Sequence, residues 1–141
     1  TWRGLLVMSG VRKDAEKGPH CFGNDSVGLW FGAIDDLWLL GKPVGQGGPW
    51  KDTPVTPGKP SDPYLMTGYD QKTLTLSHQA ATPVYMTVEV DVDHEAWRPY
   101  RSFDVPPNEA VTHEFPAGYS AHWMRVYADT ACTATAWLEY R

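Results

Sequence analysis

The chain is short of basic residues and of long apolar runs, and each shortage excludes a class of protein. Lys and Arg together number 12 against 17 Asp and Glu, for a formal net charge of −5. This leaves no basic surface for nucleic acid or for an anionic membrane. No apolar run approaches the ~18 residues of a membrane-spanning helix. We therefore expect a soluble globular chain whose partners include neither nucleic acid nor membrane.

Cysteine is also scarce, with only Cys21 and Cys132, and a pair so far apart matches no metal-ligand spacing. The two residues form either a long-range disulfide, if the protein is exported, or two buried free thiols. No cofactor is predicted, with calcium as the one alternative. The chain starts at Thr1 without a leader, as a processed or shortened chain would. We expect a secreted or periplasmic location, although no signal segment indicates it.

Alternation of apolar and polar residues is the main structural signal, and it is typical of β-strands with one buried face. It is clearest in residues 84–92, whose two faces are Val84, Met86, Val88, Val90 and Val92 against Tyr85, Thr87, Glu89 and Asp91. No helical periodicity is longer than two turns. The 141 residues are therefore predicted to form one all-β unit.

The predicted unit has four parts. Residues 1–40 and 64–105 each contain three or four predicted strands and are blade-like, with 27–41 as one long strand. Residues 41–63 are a Gly/Pro-rich connection, in which neither a helix nor a central strand is expected. Residues 110–141 provide the closing strands of the unit.

The last two predicted strands, residues 122–128 and 132–140, are joined by Asp129 and Thr130, a link of hairpin length. A half unit of this kind at the C-terminus is expected where a propeller closes its last sheet. The fold predicted first is therefore a partial β-propeller of antiparallel blades with a C-terminal closing hairpin. A single β-sandwich fits the strand count as well.

Four segments of the chain resemble one family: VGLWFGAIDDLWLLGKP, GGPWKD, SDPYLMTGYDQKTLTLSH and FPAGYSAHWMRVYADTACTATAWLEY. They are similar to the C-terminal part of β-propeller enzymes from carbohydrate-degrading microbes, the rhamnosyl-glucuronate lyases and α-L-rhamnosidases. In addition, residues 25–30 resemble a degenerate Asp-box, the turn of sialidase-type blades, with one extra residue between Asp and Gly.

The resemblance implies that the chain is part of a polysaccharide lyase or glycoside hydrolase whose catalytic residues lie outside it. The chain would then form the wall of a pocket for an acidic or rhamnosylated plant glycan. The implied partners are that glycan and either the remainder of a larger chain or a second copy. The alternatives from the residues alone are a non-catalytic glycan-binding β-sandwich and a structural or interaction domain.

Aromatic and charged residues around the Gly/Pro-rich connection are the candidates for a sugar site, because aromatic rings stack on the apolar faces of sugars. Trp50 is the first of them, since a loop aromatic beside glycines is expected to be exposed. Lys51 is placed to meet a uronate carboxylate. The further candidates are Trp38, Tyr64, Tyr69, Asp62 and Asp70. Each also has a structural interpretation, as core packing for an aromatic or as a turn pin for an aspartate.

Asp35 and Asp36 could ligate a cation such as calcium or accept hydrogen bonds from sugar hydroxyls. As adjacent strand residues they would point to opposite faces and could not flank one glycosidic bond. The alternative is a strand end at which one Asp caps a turn. Arg125, between Trp123 and Tyr127 on one predicted face, could clamp a carboxylate or act as a cation–π strut between sheets. No linear metal signature is formed by the five histidines, His20, His78, His94, His113 and His122.

Overall fold

The computed structural model describes residues 3–10, 21–23 and 28–141, and in this part the chain is all-β and antiparallel, as predicted. It divides into two compact units, Thr1–Lys42 and Pro43–Arg141, where the sequence predicts one. The start of the predicted Asp-box and His20 lie outside the described residues. Within the described part, no helix is long and apolar enough to cross a bilayer.

The first unit contains a three-stranded sheet of β1 (Leu6–Ser9), β2 (Cys21–Gly23) and β3 (Gly28–Gly32), in the order β1-β3-β2. The long strand predicted over 27–41 is wrong in its length, because β3 ends at Gly32 and a short 3₁₀ helix, Ile34–Leu40, follows. The strand end predicted as the alternative at Asp35 and Asp36 is confirmed. The Asp36 carboxylate accepts a hydrogen bond from the Ala33 N–H at 2.8 Å. This bond stabilises the turn at which the chain leaves the sheet.

The second unit contains eight strands in two four-stranded sheets. In chain order they are β4 (Gly45–Val55), β5 (Tyr64–Leu65), β6 (Lys72–His78), β7 (Val84–Asp91), β8 (Trp97–Val105), β9 (Ala110–Glu114), β10 (Trp123–Ala128) and β11 (Cys132–Tyr140). The first sheet has the order β5-β10-β7-β8 and the second the order β4-β11-β6-β9. Strands that follow each other in the chain therefore lie mostly in different sheets.

Both sheets bury alternate side chains in one hydrophobic core. The predicted inner face of β7 is confirmed for Val84, Met86, Val88 and Val90, whereas Val92 lies beyond the strand and is exposed. The second sheet contributes Leu74, Leu76, Ala134, Ala136 and Leu138 to the same core. Full burial of one such Val, Leu or Met side chain stabilises the fold by about 1.5–3 kcal/mol, so the shared core holds the two sheets together.

Strand β4 is the main departure from the prediction, because it runs through the Gly/Pro-rich connection. It is an edge strand whose neighbour in the sheet is β11, and its register shifts twice, between Thr53 and Trp50 and between Trp50 and Gly47. An edge position tolerates prolines that cannot donate to a ladder. The irregular pairing accommodates extra residues, among them Asp52 with a positive φ of 47°.

Two glycines permit the close approach of β4 to its neighbours. A Cβ at Gly48 would lie 1.9 Å from the carbonyl oxygen of Ala136, and a Cβ at Gly47 would lie 1.9 Å from the Tyr64 hydroxyl. The obstacle at Gly48 is backbone, which cannot rotate away as a side chain can. The glycines that argued against a central strand are therefore required for the edge strand β4 to pack this closely.

The predicted closing hairpin is wrong. Strand β10 pairs with β5 and β7, and β11 pairs with β4 and β6. The link through Asp129 and Thr130 therefore carries the chain from one sheet to the other. The blade-like segment 64–105 is likewise divided, because β6 lies in the second sheet and its neighbours along the chain in the first.

His78 joins the two sheets at the end of β6 and is 6% exposed. Its Nδ1 accepts a hydrogen bond from the Ala80 N–H at 3.0 Å, so the proton of the neutral ring is on Nε2. Nε2 then donates to the carbonyl oxygen of Val105, the last residue of β8, at 2.8 Å. Both ring nitrogens are used in holding the fold.

We predict that Gly48→Ala destabilises the second unit by about 1–3 kcal/mol or more, because overpacking against backbone distorts the β4–β11 pairing. Gly45→Ala is the matched control on the same strand, since a Cβ there makes only ordinary contacts at 3.6 Å and beyond. Urea unfolding of both variants measures the difference. Equal stabilities for the two variants would contradict the close approach.

Candidate functional site

The outward side chains of β10, β7 and β8 form a surface that we call the aromatic face. Its members, by rows across the three strands, are Trp123, Asp91 and Trp97; Arg125, Glu89 and Pro99; Tyr127, Thr87 and Ser102; and Tyr85 beside Asp104. They point outward because the residues between them on β7 and β10 are buried in the core. The face therefore presents aromatic rings, carboxylates and hydroxyls on one side of one sheet.

Two tryptophans of the face lie on β10 and β8, the two strands on either side of β7. Trp123 and Trp97 pair with Asp91 from opposite sides, and neighbouring strands are about 4.8 Å apart. Their backbones are therefore on the order of 10 Å apart, with the Asp91 carboxylate between them. Both side chains are half-buried, so part of each indole is packed on the sheet and part is exposed to solvent.

A cross-strand ion pair fixes the middle of the aromatic face. Nε of Arg125 donates to Oε2 of Glu89 at 2.6 Å, and the two side chains are only 26% and 14% exposed. The guanidinium also lies over the Trp97 ring, 4.4 Å from its centroid. Arg125 is thus a cation–π strut, but it connects strands of one sheet and not two sheets as predicted. Its charge is compensated by Glu89. The clamp for a ligand carboxylate, the other predicted role, would require this pair to open.

The turn between β7 and β8 is held by its own aspartates. Oδ1 of Asp91 accepts hydrogen bonds from the N–H groups of Asp93 at 3.2 Å and His94 at 2.7 Å. Asp93 binds Arg98 at 2.6 Å, and this hydrogen bond lowers the pKa of Asp93. The His94 ring stacks on His122 at 4.1 Å. Together these contacts fix the conformation of the turn that precedes Trp97, the first residue of β8.

Trp50 does not lie on an exposed loop, and that prediction is wrong. Strand β4 turns its indole into the core, where it is 5% exposed. It lines a cleft of about 220 Å³ with Asp62, which is exposed, and with Thr53 and Lys59. The cleft brings two predicted residues together, but the tryptophan offers it little surface.

Lys51, the neighbour of Trp50, points to the outer side of the second sheet. Its ammonium lies 4.8 Å from the ring centroid of Trp137 on β11. The N–H of Lys51 donates to the hydroxyl of Thr53 at 3.0 Å, which tightens the irregular turn of the strand. Lys51 and Trp50 are therefore on opposite sides of the sheet and do not form one site.

Tyr64 and Tyr69 pack against the core. The Tyr69 ring stacks on Tyr140 at 4.1 Å, and the hydroxyl of Tyr140 donates to the carbonyl oxygen of Leu65. Burial raises the pKa of Tyr140. These tyrosines are therefore parts of the packing between β4, β5 and β11.

Asp70 is exposed in the turn before β6, beside the buried Lys72. The Lys72 ammonium donates to the carbonyl oxygens of Tyr69 at 2.7 Å and Tyr119 at 2.9 Å. Burial lowers the pKa of Lys72, and the Asp70 charge opposes that shift. Asp70 thus acts in the anchoring of two turns rather than on the aromatic face.

The remaining predicted residues belong to the first unit. Trp38 is 85% exposed on the 3₁₀ helix, with Asp35 exposed one turn earlier. Asp36 caps the turn through the Ala33 N–H, which is the structural alternative for this pair. In the described residues, no group of three His, Cys, Asp or Glu side chains is arranged to hold a metal.

His113 and Cys132 are partly buried titratable groups of the second unit. His113 shares a 2.9 Å hydrogen bond with the Tyr100 hydroxyl and contacts Phe115 at 5.1 Å between ring centroids. Burial, followed by the charge of Arg101, lowers the pKa of His113. Cys132 is a free thiol whose pKa burial raises. Neither group lies on the aromatic face.

Of the predicted site residues, only Arg125 lies on the aromatic face. The other aromatic members of the face are not among the predicted site residues, although Tyr85 is 55% exposed; they are Trp97, Trp123, Tyr85 and Tyr127. The signal was available in the alternation, which placed Trp123, Arg125 and Tyr127 on one face of a strand and Tyr85 with Glu89 on one face of another. What was missing is that the two strands are neighbours.

Comparison with protein-family models, with curated proteins and with solved structures finds no match for this chain.

We predict that Arg125→Gln destabilises the second unit by about 1–3 kcal/mol, because it leaves the poorly exposed Glu89 without its partner. The double variant Arg125→Gln with Glu89→Gln should recover much of this loss, since no unpaired charge remains. Chemical unfolding of the two single variants and the double variant closes the cycle. Additive losses would show that the pair is not coupled.

We predict that the free energy of unfolding falls as the pH drops below about 6.5, the ordinary pKa of histidine, partly through His113. Because its folded pKa is lowered, the unfolded chain binds the proton first, and acid favours unfolding. His113→Gln keeps an acceptor for Tyr100 but cannot titrate. Unfolding curves at pH 7.5 and pH 5 should therefore differ less for the variant. An unchanged pH dependence would contradict the role of His113.

Proposed function

We propose that the second unit is a glycan-binding β-sandwich without a catalytic role, and that the glycan lies on the aromatic face. The observation that carries the proposal is the row Trp123, Asp91 and Trp97, two indoles on either side of a carboxylate. Indole rings offer apolar faces for the CH surfaces of sugars, and carboxylate oxygens accept hydrogen bonds from hydroxyls. The proposal also assigns the protein a secreted or periplasmic location.

The strand order supports the sandwich over the propeller. A propeller blade is a four-stranded sheet that belongs to one repeat of the chain, whereas consecutive strands here, apart from β7 and β8, lie in different sheets. Numbered from β4, the two sheets have the orders 2-7-4-5 and 1-8-3-6. We assign this arrangement to the jelly roll, an eight-strand double sheet that also occurs in lectins.

Preorganisation supports binding at this face. The Arg125 guanidinium, paired with Glu89, lies against the Trp97 ring. In the neighbouring row, the hydroxyls of Thr87 and Ser102 share a hydrogen bond of 2.9 Å. A surface whose groups are already ordered loses less conformational entropy on binding. If the chain is part of a larger carbohydrate-active enzyme, the same face would bind glycan beside catalytic residues located elsewhere.

We predict that Trp97→Ala and Trp123→Ala each weaken glycan binding roughly tenfold, the equivalent of a lost contact of about 1.4 kcal/mol. Affinity electrophoresis through gels that contain plant polysaccharides measures the binding. Trp137→Ala is the matched control, because Trp137 lies on the outer side of the other sheet under Lys51. Retained binding in both face variants, or equal loss in the control, would contradict the aromatic face as the site.

A further inference from the structure

We infer that the aromatic face selects neutral glycans over uronate-containing ones, an inference that rests on the proposed glycan binding. The charges of the face carry it. Glu89, Asp91 and Asp104 are the carboxylates among its members, and Arg125 is the cation. Arg125 is compensated by Glu89 at 2.6 Å. The charged groups that remain for a ligand, Asp91 and Asp104, are therefore anionic.

Charges at the border of the face do not reverse this balance. Arg98 is paired with Asp93 at 2.6 Å. Asp129 lies beside Tyr85, and its Oδ1 accepts a hydrogen bond from the Tyr85 N–H at 3.1 Å. His94 lies 3.6 Å from Oδ2 of Asp91. Arg101, on the edge strand β8, lies over the Phe103 ring.

The position of Asp91 decides the selectivity. It lies between Trp97 and Trp123 in the register, where the middle of a sugar chain stacked on both rings would pass. Its side chain is 13% exposed, and its Oδ1 accepts from two backbone N–H groups. Oδ2 lies 3.6 Å from Nδ1 of His94, so Asp91 meets a ligand only through the remaining lone pairs of Oδ2, which accept from hydroxyl donors. A neutral sugar supplies such donors, whereas a uronate brings a second carboxylate to the same place.

The register gives the direction of the ligand. The backbones of Trp97 and Trp123 lie two strand spacings apart, on the order of 10 Å, across the strands and not along them. A neutral sugar chain that contacts both tryptophans therefore runs perpendicular to β7.

The test compares the acidic and the neutral form of the same polysaccharide. Plant arabinogalactan and pectin are each used native, with their uronates, and after carboxyl reduction, which converts the uronates to neutral sugars in the same linkages. We expect the reduced form to bind roughly fivefold more tightly at low ionic strength, as two like charges at contact distance in water predict. The preference should shrink in about 1 M salt, where the Debye length is about 3 Å.

Glu89→Gln makes the test specific to the face. The variant still offers Arg125 an acceptor but leaves its charge uncompensated, so the ratio of the affinities for the native, acidic form and for the reduced form should shift severalfold toward the native form. Glu139→Gln is the control, because it removes the same charge from an exposed position on the other sheet.

The outcomes separate the two claims. Equal or tighter binding of the native form by the wild-type protein overturns the selectivity and leaves glycan binding standing. If the affinity for the native form, relative to the reduced form, rises as much in Glu139→Gln as in Glu89→Gln, the effect is due to the net charge of the protein. That outcome overturns the role of the face. Absence of binding to either form at any salt concentration contradicts the proposed function and the inference together.

Discussion

The alternation of inward and outward side chains along β7 and β10 is the constraint on which both the core and the aromatic face depend. Val88 and Val126 pair directly on the inner side, and Glu89 and Arg125 pair directly on the outer side. A shift of either strand by one residue would expose the valines and bury the ion pair. The hydrophobic core therefore fixes the register, and the register in turn builds the site.

The ion pair of Glu89 and Arg125, with the Trp97 ring, connects the side chains of three neighbouring strands on the aromatic face. Both groups are largely removed from water, so each would be costly to leave alone, and each therefore stays with its partner. Because the guanidinium also covers one part of the Trp97 ring, the indole of one strand is held by the charges of two others. The position of Trp97 on the sheet face is therefore fixed by side chains of the same sheet.

The sequence predicted what alternation determines and missed what depends on long-range pairing. Strands β6, β7, β9, β10 and β11 follow from their apolar periodicity. Strand β4 does not, because its glycines and prolines are compatible with a strand only at an edge with irregular pairing beside Ala136. The same segment led to Trp50 as an exposed ring, whereas strand geometry turns it inward. Trp97 and Trp123 could be joined only by knowing that β7 lies between β8 and β10.

In the proposed glycan binding, the carboxylates of the aromatic face act as hydrogen-bond acceptors. Glu89 accepts from Arg125, and Oδ1 of Asp91 accepts from two backbone N–H groups. Both residues project from the same strand toward the same side, so under the proposal a glycan lying on the indoles would meet both from one side. A general acid in glycoside cleavage donates a proton to the leaving oxygen, whereas both carboxylates already act as acceptors, and for this reason the proposal assigns them to binding.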